Sequence, residues 1–188
     1  MCHVPGLKVV MPSTPADARG LLKSAIRDDN PVVFIEHKKL YRIKGSVPAE
    51  ETLIPLGVAD IKRPGKDVTL VSWSYTIHLC LEAAEKLAQE GIDVEIVDPR
   101  TLQPLDIDTI IKSVEKTGRL AIAHEAVTFG GFGAEIAAQV TERAVHLLKH
   151  HVVRVGAKFV PQPYSEPLET FVLPQVDDII LAVKQTLD

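Results

Sequence analysis

From Ile54 to the C terminus, short β-rich apolar runs alternate with stretches whose apolar residues recur at helical spacing. Few folds accept that order. Asp67–Trp73 reads as a continuous buried strand, and Thr76–Glu90 as a helix with Ile77, Leu81, Ala84 and Ala88 on one face and Gly91 as its stop. Val94–Val97 is the next strand, and Asp106 caps a short helix carrying Ile110, Ile111 and Val114 that ends at Gly118. Leu120–Ala123 is a strand, Gly133–Leu148 a helix and Val152–Val155 the last strand. Pro174 then opens a final helix that turns Val176, Ile179, Ile180, Val183 and Leu187 inward. An edge strand within Leu56–Ile61, ended by Arg63-Pro64-Gly65, precedes them all. The pattern specifies an α/β fold, a three-layer sandwich with a mostly parallel sheet and helices on both faces.

The first fifty residues hold one further strand–helix–strand unit. Leu7–Met11 is a short strand bounded by Gly6 and Pro12. Thr14 offers an N-cap, Pro15 fills the first helical position, and Ala18, Leu21, Leu22 and Ala25 make an apolar face. The helix must stop before Pro31, because proline keeps Asn30 out of the α region. Val32–Ile35 is a second buried strand, and the polar stretch from His37 to Thr52 is an exposed linker. At 188 residues the chain has room for one full domain and something extra.

Composition removes several classes of function. The 46% hydrophobic and 24% charged content belongs to a folded chain and excludes disorder and collagen-like repeats. Net charge is −4, which favours neither nucleic acid nor an anionic membrane as partner. Cys2 and Cys80 are too few for a disulfide framework or a zinc site. No apolar run approaches the roughly 20 residues of a membrane span, and no signal-peptide pattern opens the chain.

Three stretches could carry chemistry. His124-Glu125 precedes Gly130-Gly131-Phe132-Gly133 at a helix start, where backbone N–H groups could meet an anion. The dinucleotide fingerprint lacks its third glycine, and Glu135 would repel a phosphate, so a tight turn is favoured and His124 reads as a hydrogen-bonded turn residue. Arg100, in Asp98–Asp106, could clamp a carboxylate, but pairing with a neighbouring acid across a domain or subunit interface is the plainer reading. The helix end Ser24–Pro31 has no closing glycine, so its last carbonyls, beside Asp28 and Asp29, could meet a cation or simply water. His146 and His150 sit four apart, yet cationic histidines also suit a helix C-terminus. Trp73 and Phe132 read as core or interface residues.

Taken as a set, the motifs carry a resemblance. His3–Val10, Ala25–Phe34, Leu40-Tyr41-Arg42, Val97–Asp106, Ser113–Arg119 and His124-Glu125-Ala126 occur in order. Together they resemble the β subunit of thiamine-diphosphate-dependent 2-oxo acid dehydrogenases, the family of the pyruvate, branched-chain and acetoin enzymes. His124-Glu125-Ala126 followed by Gly130-Gly131-Phe132 leans toward the branched-chain type.

The resemblance implies residues 1–50 as the C-terminal remnant of a thiamine pyrimidine-binding domain plus linker, and residues 51–188 as a transketolase-type C-terminal domain. It implies thiamine diphosphate and magnesium bound mostly outside this segment, with the activating glutamate and an active-site histidine upstream of His3, so that this chain alone is expected to be inactive. The expected partners are an α subunit, a second β subunit and the dihydrolipoyl acyltransferase core, in the cytoplasm, or in the mitochondrial matrix of a eukaryote. Without its upstream strands, Val9 and Phe34 should lie on exposed edges. A potassium ion is implied at the helix end formed by Ala25, Ile26, Asp28 and Asn30. Pro99 replaces the usual Leu or Met, and Phe159 stands where many relatives carry Asp on the acyltransferase-docking face. A stand-alone interaction module without catalytic role is the alternative.

Overall fold

The computed structural model describes residues 1–188. In chain order the elements are β1 (Lys8–Val10), α1 (Pro15–Ile26), β2 (Val32–Phe34), β3 (Asp60–Arg63), β4 (Val68–Val71), α2 (Thr76–Gln89), β5 (Val94–Asp98) and β6 (Thr101–Gln103). There follow α3 (Ile107–Thr117), β7 (Leu120–Val127), α4 (Phe132–Ala144), β8 (Val153–Ala157), α5 (Glu166–Val172) and α6 (Val176–Gln185). Single 3-10 turns occupy Lys38–Arg42 and Val145–Leu147.

Alternation along the strands builds the three layers. The main sheet runs β3-β5-β4-β7-β8, parallel throughout except for β3, which pairs antiparallel with β5 at the edge. Successive side chains point to opposite faces. Leu70 and Ile96 therefore join Ile77, Cys80, Ala84 and Leu87 of α2 and Ile179 and Val183 of α6 on one side. Val71, Val97 and Ile122 meet Ile110 and Val114 of α3 and Ile136 and Val140 of α4 on the other.

Local signals place the helix ends. The Thr14 hydroxyl accepts the Asp17 N–H at 3.1 Å to start α1. The Asp106 carboxylate accepts Thr109 N–H at 3.1 Å to start α3, and Gly118 at φ +74° ends it. Gly91, at φ +83°, lets Ile92 N–H reach back to the Leu87 carbonyl at 3.0 Å, closing α2. The buried stripe of α2 is Ile77, Cys80, Ala83, Ala84 and Leu87, so it is rotated from the expected one and leaves Ala88 in solvent.

A second sheet, β2-β1-β6, joins the N-terminal residues to the rest. Val9 pairs with Val33 in parallel and with Gln103 in antiparallel fashion, and is 1% exposed. The expectation that Val9 lies on a bare edge is thus corrected: β6, from beyond the main sheet's β5, supplies the neighbour. Phe34 does sit on an outer strand, and β2 is half-buried rather than buried. On α1 only Leu21 of the expected apolar face is fully buried, and Leu22 is exposed. Gly20 faces inward instead, because Ile54 packs on it so closely that a Cβ there would lie 2.7 Å from Ile54 Cγ1.

Candidate functional site

The densest polar cluster lies where α1 meets the C-terminal end of β5. β5 ends in Asp98, which is fully buried, and the chain then turns through Arg100 at φ +58° into β6. Asp98 accepts the Ser13 hydroxyl at 2.5 Å and the Arg100 N–H at 2.9 Å. Lys62 of β3 reaches across with its ammonium 2.5 Å from Asp17, 2.8 Å from Asp60 and 3.7 Å from Asp98. Arg100 donates to the Val58 carbonyl at 2.9 Å and reaches Asp17 at 3.4 Å. Arg100 thus pairs with an acid across the junction of the two segments.

The charges in this cluster adjust to one another. Burial pushes Asp98 up to about 7, against the opposing pull of Lys62, the Ser13 hydroxyl and the Arg100 N–H. Burial also penalises ionised Asp17, but hydrogen bonds from Lys62 and Thr14 and the charges of Lys62 and Arg100 outweigh it, so Asp17 stays below its ordinary value. Lys62 is desolvated too, yet Asp98, Asp17 and Asp60 hold its pKa above the usual lysine value.

At the other end of α1, the chain partly satisfies its own carbonyls. Arg27 N–H bonds to the Ser24 carbonyl at 3.2 Å and Asp28 N–H to that of Ala25 at 3.3 Å, whereas no backbone N–H reaches the Ile26 carbonyl. Asn30 donates its backbone N–H at 2.9 Å and its side-chain amide at 3.1 Å to Asp28, whose other oxygen holds the Lys8 ammonium. These bonds, the Lys8 contact foremost, hold Asp28 down to about 2.

His124 is not in a turn. β7 continues to Val127, so the imidazole lies inside the sandwich at 1% exposure, stacked on Trp73 at 5.3 Å between centroids, while Phe132 meets Trp73 edge-on at 5.9 Å. Neither ring nitrogen has a hydrogen-bond partner, and burial lowers its pKa. Three glycines admit the ring: a Cβ on Gly131 would lie 2.8 Å from its Cε1, one on Gly133 2.7 Å from its Cδ2, and one on Gly156 3.3 Å from its Cε1. The glycine signal was therefore about packing.

For the diphosphate and magnesium that the resemblance implies, the chain brings no fitting site together. The N-terminus of α4 is filled by His124 and carries Glu135 in its first turn, and no group of three acidic, histidine or cysteine side chains could hold a metal. His146 lies in the 3-10 turn after α4, which breaks the helical spacing to His150. Cys80 is inert, its thiol pushed up to about 12 by burial. Phe159 is exposed and contacts the exposed Phe129 edge-on at 5.5 Å.

Residues 57–179 match the transketolase C-terminal domain, and residues 1–44 match the transketolase pyrimidine binding domain. The acetoin:2,6-dichlorophenolindophenol oxidoreductase subunit beta of Cupriavidus necator is 48% identical over 98% of this chain and 55% of its own length. The pyruvate dehydrogenase E1 component subunit beta of Bacillus subtilis is 48% identical over 98% of this chain and 57% of its own, and that of Staphylococcus epidermidis 46% over 100% and 58%. A solved structure titled split gene transketolase, inactive beta4 tetramer, superposes with a TM-score of 0.80 at 29% identity, over 100% of this chain and 59% of that one. The chain spans a little over half the length of these relatives. With five strands in the order described, helices on both faces and two domain matches in sequence, the chain belongs to the transketolase C-terminal domain family and carries a pyrimidine-binding-domain fragment ahead of that domain.

Proposed function

We propose that the chain is the β-subunit portion of a cytoplasmic 2-oxo acid dehydrogenase, contributing framework and assembly surfaces rather than catalytic side chains. The observation that carries this reading is identity of 44–48% running through both matched segments to β subunits of pyruvate and acetoin enzymes. In that role residues 1–50 belong to a pyrimidine-binding domain and residues 51–188 form the transketolase-type domain. In the assembled enzyme thiamine diphosphate, with magnesium, supplies the carbanion chemistry of oxidative decarboxylation, and the acyl group passes to a lipoyl domain. The partners are an α subunit, a second β subunit and the acyltransferase core, which the exposed face around Phe159 would meet.

Co-expression with the α subunit of its own organism's 2-oxo acid dehydrogenase tests the reading. We expect the two chains to co-elute as one species by size-exclusion chromatography with light scattering, and the isolated chain to show no decarboxylation with 2-oxo acid, thiamine diphosphate and magnesium. Elution of the chain by itself beside a soluble α subunit would favour a stand-alone interaction module. Turnover by the isolated chain would overturn the framework role.

The end of α1 is the proposed potassium site, formed by the carbonyls of Ala25 and Ile26 with Asp28 and Asn30. The free Ile26 carbonyl and the anionic Asp28 suit a weakly hydrated cation, although Lys8 already shares the carboxylate. Saturating potassium should raise Tm by about 3 °C over choline at matched ionic strength. D28A should abolish the difference. Equal Tm values in the two salts for the unsubstituted chain would remove the site.

A further inference from the structure

Two buried carboxylates from different segments share one hydroxyl. Ser13 Oγ lies 2.5 Å from Asp98 at the end of β5 and 3.3 Å from Asp17 on α1. A hydroxyl has a single proton to donate. With both carboxylates ionised, Ser13 serves Asp98 only, and Lys62 at 3.7 Å is too far to replace it. The cluster then holds two buried carboxylates, Asp17 and Asp98, with a solvent-exposed Asp60 at its rim, around Lys62 and Arg100, and the Asp98 charge is the one wholly removed from water.

We propose that Asp98, Ser13 and Asp17 form a proton-operated latch, in which one proton taken up on Asp98 locks α1 onto the C-terminal domain. Protonated Asp98 donates to Ser13 Oγ, whose own hydrogen turns to Asp17. The three groups then form a continuous relay across the junction, and the fully buried Asp98 carries no charge. The remaining groups facing the cluster leave that reading intact. From α2, Cys80 stays a neutral thiol, and His78 Nε2 holds the Ser13 carbonyl at 2.8 Å, a bond that an N–H donates in either charge state. From β3, Lys62 stays charged, and from the β5–β6 turn Arg100 does too.

The sign follows from the two states of Asp98. Undocked, it titrates near its ordinary 3.8, and docked, at about 7, so docking takes up a proton between those values. Through Asp98, docking is tightest at about pH 4, loosens as pH rises from there to about 7, and levels off above about 8. Asp17, with its lowered pKa, weakens docking only as pH falls below its ordinary 3.8, and Lys62 only as pH rises above 10.5. The linkage makes the docking constant about tenfold larger at pH 6 than at pH 8.

Hydrogen–deuterium exchange on the full chain, corrected for intrinsic rates, reads this as the protection of α1 amides. We expect α1 protection to rise about tenfold from pH 8 to pH 6, with α2 and α6 amides unchanged. D98N, whose amide can donate to Ser13 as the protonated acid does, should show high α1 protection at both pH values. S13A should lower it at both, because the relay is cut. The His37–Glu125 pair, at 2.8 Å, also ties the N-terminal segment down, and D98N retains its contribution and so isolates that of Asp98. Equal pH ratios in D98N and the unsubstituted chain would overturn the latch, as would a flat response in the latter.

Discussion

Replacing Lys62 by Met should cost about 3–5 kcal/mol of folding stability, measured by urea denaturation at neutral pH. The Lys62 side chain is only 10% exposed, and it is the one cation that approaches Asp17, Asp60 and Asp98 together. Removing it leaves buried carboxylates with no ammonium between them, and the penalty is the stranded charge rather than a lost attraction. Two controls separate that cause from lost packing. Met keeps most of the aliphatic stem, so packing changes little. The double variant K62M/D17N should recover a large part of the loss, because one of the stranded charges is gone. K62M should also lose less at pH 5 than at pH 8, since Asp98 can then bury itself neutral. A loss below about 1 kcal/mol would mean that water reaches the cluster and screens it.

Gly133→Ala should cost about 3 kcal/mol, the upper part of the range for overpacking. The new Cβ would lie 2.7 Å from His124 Cδ2 and Nε2 and 3.1 Å from Ile122 Cγ2. The ring has nowhere to retreat, with Trp73 stacked on it and Gly131 and Gly156 packed against its Cε1 edge. His124→Ala alone opens a cavity and should cost a similar amount. The double variant H124A/G133A should be clearly more stable than the sum of the two losses, because the methyl then occupies vacated space. Strict additivity would show that Gly133 is needed for some reason other than room for the imidazole.

Local chemistry was readable in the sequence wherever a few neighbouring residues decide the outcome. Thr14 with Pro15, Asp106 with Thr109, and the glycines at 91 and 118 set helix ends by bonds within a turn, and each appears where its residue type requires. β6 was not readable, because Thr101-Leu102-Gln103 is three residues long and becomes a strand only by pairing with β1. The helix over Glu166–Val172 was hidden in a proline-rich stretch. The motif containing Arg100 marked the junction, and its pairing with an acid was foreseen. Lys62 was not, since a lysine on an edge strand looks like surface until the fold brings Asp17 and Asp98 to it. His124 failed for the opposite reason: the strand runs past it, so a polar residue that seemed destined for a turn is enclosed.

The antiparallel pairing of β1 with β6 also dictates when the N-terminal segment can settle. On the ribosome β1, α1 and β2 emerge before β5 and β6, so Val9 and Val10 gain their second neighbour only after Thr101–Gln103 has left the exit tunnel and β5 has set the turn that aims it. The loop to be closed is long, and its entropy must be met by contacts that the nascent segment does not yet possess. Synthesis and folding therefore run in opposite directions between these two parts: β1 is made before β6 but completed only with it. Until then the β1 edge that Thr101–Gln103 covers is unpaired, the kind of strand edge from which aggregation starts.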